Sequence, residues 1–287
     1  MSRIAYVNGR YVPHRLATIH IEDRGYQFSD GVYEVIGIAQ GRIIDEEPHW
    51  DRLDRSLREL RIPWPLSHAA MRLIVREVLR RNGIGDGIVY IQVNRGVAPR
   101  DHAFPKNVTA SLVVTARRAK PAAKEVQRKG VAVITIPDIR WKRCDIKTIA
   151  LLPNVLGKQQ AVEAGVFEAW MVDDSGQITE GTSTNAWIVT AKRELVTRQT
   201  DAAILSGITR SSVQALARDA GLTLVERPFT VAEAKAAKEA FITSTTSYVT
   251  PVVKIDGAAV GDGTPGPLTR KLQEYYATYA AGPGAAA

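Results

Sequence analysis

Few residues in this chain are of the kinds that fix a protein's class by themselves. Cys144 is the single cysteine among 287 residues, so no intramolecular disulfide can form. That fits a reducing compartment, and a cytoplasmic location is expected. No apolar run approaches the roughly 20 residues needed to span a bilayer. The opening M1-S-R-I-A-Y-V-N-G-R has no apolar centre of the kind a signal peptide carries. Aromatic residues make up 7% of the chain and do not interleave with a basic run. This bears on the net charge of +8, which by itself would suggest nucleic acid. The positive charges are scattered: Arg52, Arg55, Arg58 and Arg61 alternate with Asp51, Asp54 and Glu59, as on a solvated helix face. Nucleic acid and membrane are therefore not expected as partners, and no metal site is expected. No internal repeat is visible. The tail from Ala280 to Ala287 is of low complexity and is expected to fray.

What remains is an ordinary globular composition, 45% hydrophobic and 24% charged, in a chain long enough for two domains. Residues 3–12 read as a hairpin around Asn8-Gly9, since both turn positions want positive φ. Residues 22–33 read as a loop feeding a strand at 33–40. Trp50, Leu53, Leu57 and Leu60 recur at helical spacing and predict a helix over 49–61. A second helix around residues 71–79 stops near Asn82-Gly83, and strands follow at 87–95 and 108–116. Residues 117–125 break the apolar pattern and mark a boundary, giving domains 1–118 and 126–287 with a linker at 119–125. The second half alternates short strands with helices at 154–165, from 208 onward, and at 266–280.

Several polar residues stand where chemistry could be done. Lys147 lies among Ile146, Ile149, Leu151 and Leu152, where loss of water favours a neutral amine able to attack a carbonyl. Spacing alone does not separate it from Lys142 or Lys158. Arg100 and His102, two apart beside a proline, could hold a carboxylate between a forked guanidinium and an imidazole. Tyr33 could add a phenol to that task. Glu180 precedes Gly181 and a run of small polar residues. Leu205-Ser206-Gly207-Ile208-Thr209 leads into a helix whose first amides could bind phosphate. Ser244-Thr245-Thr246-Ser247, at a strand end, could complete such a cup or simply form a turn.

Six ordered blocks, I139-R-W-K-R-C-D-I-K147 together with E22-D-R-G-Y-Q-F-S-D-G-V-Y-E34, R95-G-V-A-P-R-D-H102, E180-G-T-S-T-N185, G207-I-T-R210 and T243-S-T-T-S247, resemble the class IV aminotransferases. These are the fold-type IV enzymes that use pyridoxal 5'-phosphate. The blocks cover the chain from about Tyr6 to Leu272. The resemblance implies an α/β (α+β) fold of two domains, an N-terminal α/β sandwich and a C-terminal β-barrel-like α/β domain carrying the lysine, with the cofactor in the cleft between them. It implies that Lys147 is the catalytic lysine and holds the cofactor. Glu180 would face the pyridine nitrogen, and Arg52, Leu205, Ile208, Thr209 and Thr245 would complete cofactor binding. It also implies a homodimer, with the Arg100–His102 loop reaching the partner's active site.

The Arg100–His102 pair resembles the branch of the family that acts on D-amino acids. The expected activity is transfer of the amino group of a D-amino acid to a 2-oxo acid such as 2-oxoglutarate, with Tyr33, Arg100 and His102 on the substrate carboxylate. Branched-chain L-amino-acid and (R)-amine transaminases, an aminodeoxychorismate lyase and a non-catalytic basic module are the alternatives. Ser29 stands where many members of the family carry glycine.

Overall fold

Asn8 and Gly9 take φ values of 43° and 93°, the positive pair that a two-residue hairpin requires. They join β1 (Ile4–Val7) to β2 (Arg10–Pro13), as the sequence predicts. In the computed structural model, which describes residues 3–118 and 124–282, these strands form one edge of a six-stranded antiparallel sheet. The others are β3 (Gly31–Ala39), β4 (Arg42–Ile43), β5 (Gly87–Asn94) and β6 (Ser111–Arg118), in the order β2-β1-β6-β5-β3-β4. Alternate residues of β3, namely Val32, Ile36 and Ile38, meet Trp50, Leu53 and Leu57 of α2 (Glu46–Glu59) and Val75 and Val78 of α3 (His68–Asn82). Burying those side chains against one another is the main force holding this layer together. Helix α2 starts before the predicted residue 49 because Pro48 is tolerated in a first helical turn. The stretch 22–33, read as a loop, contains the short helix α1 (Arg24–Phe28), capped by the Asp23 side chain.

The described residues divide into two units, 3–118 with 146–150, and 124–145 with 151–282. Lys147, expected in the second domain, thus belongs to a five-residue segment that groups with the first. The reason is an edge left open. The two residues of β4 pair with Ile38 and Ala39 only, at one end of β3. At the other end Tyr33 donates its N–H to the Lys147 carbonyl at 3.0 Å, and Ile149 donates to the Gly31 carbonyl at 3.1 Å. Most of the expected linker, 119–123, lies outside the described residues, as do 283–287 of the tail. Lys124 and Glu125 open α4 (Lys124–Lys129), and the last helix, α8 (Pro267–Ala281), runs into the tail.

The second unit is built on β7 (Val131–Pro137), β8 (Glu168–Val172), β9 (Ile178–Gly181), β10 (Asn185–Val189), β11 (Leu195–Thr197), β12 (Leu224–Glu226), β13 (Glu239–Ser244), β14 (Tyr248–Ile255) and β15 (Ala258–Ala259). Eight run in the order β12-β11-β10-β13-β14-β7-β8-β9, with β15 paired to β14. The two edges approach each other: Ile178 in β9 donates its N–H to the carbonyl of Phe229, just beyond β12, and Gln177 bridges Thr230. The sheet therefore curls around a core that includes Trp170, Ile178, Ile188, Phe229 and Ile242, which gives the barrel-like domain. Helices α5 (Leu152–Glu163), α6 (Ile208–Asp219), α7 (Val231–Lys235) and α8 complete the unit. No helix among the described residues is long and apolar enough to cross a membrane.

Candidate active site

In the first unit, α2 buries a second stripe beside its apolar one. His49, Arg52 and Ser56, spaced by three and four, are all buried. Each meets a polar partner. Glu34, fully buried on β3, accepts from Arg52 Nε at 2.7 Å and Nη2 at 2.8 Å, and lies 2.7 Å from His49 Nδ1. Ser56 Oγ accepts the N–H of Lys147 at 3.3 Å. Arg52 is therefore not the solvated arginine its sequence neighbours suggest. Burial opposes a charge on Glu34, but the Arg52 guanidinium outweighs it and holds the carboxyl well below its ordinary range. The two-bonded ion pair fixes the guanidinium plane.

Tyr33 points to the other face of β3. The Lys147 amine lies 4.4 Å from the centroid of its ring, a cation–π distance. Lys147 is half-buried, whereas Lys142 is exposed and the Lys158 amine bonds the carbonyl of Phe167. Of the three lysines only Lys147 meets a residue singled out for substrate, Tyr33. Tyr90 packs against Tyr33 with centroids 5.6 Å apart, and burial, followed by Tyr33, pushes the Tyr90 phenol up to about 12.

Arg100 and His102 lie exposed in the loop between β5 and β6. They do converge, on the ring of Phe28: Arg100 Cζ is 4.6 Å from its centroid and the His102 ring 5.4 Å. Beneath them Asp30 accepts from both Arg24 Nε, at 2.8 Å, and Arg95 Nε, at 2.7 Å, so one carboxylate ties two guanidiniums to the base of the loop.

In the second unit Glu180 sits on β9 and is buried, not exposed in a turn. Arg140 Nη1 donates to its Oε1, Asn185 Nδ2 to its Oε2 at 3.0 Å, and the Leu205 N–H to both oxygens at 3.2 Å. Arg140 is itself held by Asp138 through Nε at 2.9 Å and Nη2 at 2.7 Å. Burial opposes the Arg140 charge, but the two carboxylates overcome it and its pKa is raised. Such a guanidinium keeps Glu180 an acceptor, as a partner for a protonated ring nitrogen must be.

The turn between Glu180 and Asn185 is pinned from below. Glu168, also fully buried, accepts from the hydroxyls of Thr182 at 2.5 Å and Ser183 at 3.1 Å. Asn185 also donates to the carbonyl of Leu205 at 3.0 Å. It stands opposite Thr243 across β10 and β13, so Glu180, the start of α6 and the end of β13 are gathered at one end of the sheet. Helix α6 begins at Ile208 after Gly207, whose backbone is extended and which offers no side-chain cap. Its first amides therefore present N–H groups and the positive dipole end beside the buried Thr209 hydroxyl. In the cluster after β13, Ser244 and Ser247 bond each other at 2.7 Å and close the turn that holds Thr245 half-buried. Burial pushes the Cys144 thiol up to about 11, which makes it a poor nucleophile at neutral pH.

Four residues of these clusters, Glu34, His49, Arg140 and Glu168, were not singled out in the sequence. Alternation along β3 puts Glu34 on the buried face, which was a readable signal. Asp138 is a local partner of Arg140, two residues away, but nothing local marks its other partner Glu180, which lies 40 residues away.

The sequence profile of the family described as amino-transferase class IV matches residues 31–255. A D-alanine aminotransferase of Bacillus licheniformis is 43% identical, the match covering 93% of either chain. One from Staphylococcus haemolyticus is 38% identical over 96% of either chain. Among solved structures, a branched-chain amino acid aminotransferase from T.th. with pyridoxamine 5'-phosphate superposes with a TM-score of 0.89 at 26% identity, covering 99% of this chain and 96% of that one. An Escherichia coli branched-chain amino acid aminotransferase gives a TM-score of 0.89 at 22% identity, covering 97% and 95%, and so supports the fold alone.

Proposed function

The chain belongs to the class IV aminotransferase family, and from that premise we propose that it transfers the amino group of a D-amino acid, D-alanine among them, to a 2-oxo acid such as 2-oxoglutarate. The observation that carries this reading is the Arg100–His102 pair converging on one aromatic ring, in a chain similar to D-alanine aminotransferases over nearly its whole length.

The donor groups fit pyridoxal 5'-phosphate. Ile208 and Thr209 offer amides and a hydroxyl to the phosphate, with Arg52, Leu205 and Thr245 assigned to the same ligand. Glu180, held by Arg140, would accept the N–H of the pyridine ring. When bound, the cofactor supplies a carrier for the amino group and a sink for the electrons left when the α-proton departs. The residues of the chain do the rest. Lys147 Nζ takes the proton from Cα of the donor and, in the return half, gives one to Cα of the product amino acid. Tyr33, Arg100 and His102 hold the substrate carboxylate. Fixing that group decides which enantiomer turns its Cα–H toward Nζ.

A homodimer fits the second unit. Leu152, Val155, Leu156 and Val162 form an exposed apolar face on α5, with Ile139 and Trp141 exposed as well. A surface of this kind suits a second copy of the chain. A cytoplasmic location fits the single, buried Cys144.

The test is a half-reaction on cofactor-loaded protein with D- or L-alanine and D- or L-leucine, without acceptor. Loss of the visible cofactor band with the D-enantiomers alone is the expected result. Loss with L-leucine would favour the branched-chain reading that the similar structures keep open. Lys147→Ala is expected to abolish the reaction, while Lys142→Ala and Lys158→Ala retain it.

A further inference from the structure

We propose that Phe28 is a positioning residue for the substrate carboxylate, acting through Arg100 and His102. This rests on the reading of those two residues given above. Phe28 is the last residue of α1 and is half-buried. Three groups meet its ring. The guanidinium carbons of Arg100 and Arg24 lie 4.6 Å and 4.8 Å from its centroid, and the His102 ring 5.4 Å. An exposed arginine samples many rotamers, and a ring that attracts its cation narrows them.

The ring can do this only if its own base is fixed, and it is. Asp23 accepts from the N–H of Gly25 at 2.8 Å, Asn94 Nδ2 at 2.7 Å and Ser111 Oγ at 2.5 Å. A β-carbon at either Gly25 or Gly31 would overlap the Asn94 side chain, so the first turn of α1 and the start of β3 are both pressed against that one residue. The loop is held in the same way. Arg24 Nη1 donates to the Asp101 carbonyl at 2.5 Å and Nη2 reaches the His102 carbonyl at 3.5 Å. The Asp101 carboxylate turns back to the Ala103 N–H at 3.2 Å. Residues 100 and 102 therefore share the side that faces Phe28, and the acid between them is turned to its own backbone. A carboxylate arriving there meets a pair already oriented.

The experiment compares Phe28→Leu and Phe28→Tyr with the parent in the cofactor-loaded enzyme. It measures kcat and KM for D-alanine and the inhibition constant of propanoate, a carboxylate without an amino group. With Leu, KM and the propanoate constant are expected to rise about tenfold, with kcat within about twofold. The Tyr variant keeps the ring and is expected to match the parent. Should Leu fail to fold, Phe28→Met makes the same comparison. Unchanged KM and inhibition constant in the Leu variant would overturn the proposal, as would a fall in kcat that the Tyr variant does not rescue. A parent that turns over no D-amino acid would instead defeat the functional reading, and this inference with it.

Discussion

The side-chain amide of Asn185 occupies the space that a β-carbon at position 207 would need. Asn185 cannot readily move aside, because Nδ2 bonds both Glu180 and the Leu205 carbonyl at 3.0 Å. The same glycine precedes the first amides of α6. Gly207→Ala should therefore disturb the amides proposed for the phosphate and the Glu180 carboxylate together. An overpacking cost of about 1–3 kcal/mol corresponds to roughly 5- to 150-fold weaker cofactor binding. Titration of the apoprotein with pyridoxal 5'-phosphate, followed by tryptophan fluorescence, checks this; unchanged affinity would contradict the packing argument.

The buried Glu34 cluster should make stability depend on pH in two stages. Burial holds His49 below its ordinary value of 6.5, although the Glu34 carboxylate pulls the other way. As pH falls through 6.5, unfolded chains take up a proton that the folded chain resists, so stability falls. Glu34 acts in the same direction at lower pH. Its folded pKa lies below the ordinary 4.5, so its contribution is complete above that value and is lost as pH drops toward the folded pKa. Thermal midpoints measured from about pH 8 to about pH 4 should decline accordingly, and His49→Gln should flatten the upper stage. Glu34→Ala leaves Arg52 buried without its carboxylate and should cost about 3–5 kcal/mol.

Ser29 ends α1 in the left-handed region at φ 56°. A β-carbon is disfavoured there, while glycine adopts the region without strain at the cost of greater chain entropy when unfolded. Ser29→Gly should stabilise by about 0.5 kcal/mol, and Ser29→Val should destabilise by more than about 1 kcal/mol. Denaturant midpoints at constant m-value measure both.

Local patterns announced the hairpin at Asn8-Gly9 and the apolar stripe of α2, because each depends on residues within one or two turns of chain. The polar stripe of α2 was not legible. His49, Arg52 and Ser56 have the spacing of a buried face, but charged and hydroxyl residues at such spacing are as often solvated. Their partners, Glu34 and the backbone of Lys147, lie 15 or more residues away. Glu180 was legible through the resemblance, yet its burial was not, since Arg140 and Asn185 approach it from separate segments. Lys147 could not be separated from Lys142 and Lys158 by spacing. The geometry separates them, because the half of β3 that β4 leaves open draws in residues 146–150 and sets the amine against Tyr33.

Arg140 joins the buried Glu180 to the half-buried Asp138, and removing it tests whether Glu180 must be ionised. With Asp138 it makes a two-bonded pair, and it also donates to Thr179 Oγ1 at 3.3 Å and to the Ala203 carbonyl at 3.0 Å. Arg140→Met deprives Asp138 and Glu180 of this cation and should cost about 3–5 kcal/mol of stability. The carboxyl that escapes this cost by taking a proton no longer offers the negative charge that favours a protonated ring nitrogen. Loss of the cation disfavours the charged carboxylate, so the D-alanine half-reaction should become more sensitive to acid. The rate at neutral pH should fall about 10- to 100-fold. Arg140→Lys supplies a point charge that cannot reach all four acceptors, and should fall between the two. If the Met variant folds and its pH profile keeps the parental acid limb, ionisation of Glu180 does not depend on Arg140, and its remaining partners, Asn185 and the Leu205 amide among them, suffice to hold the carboxylate.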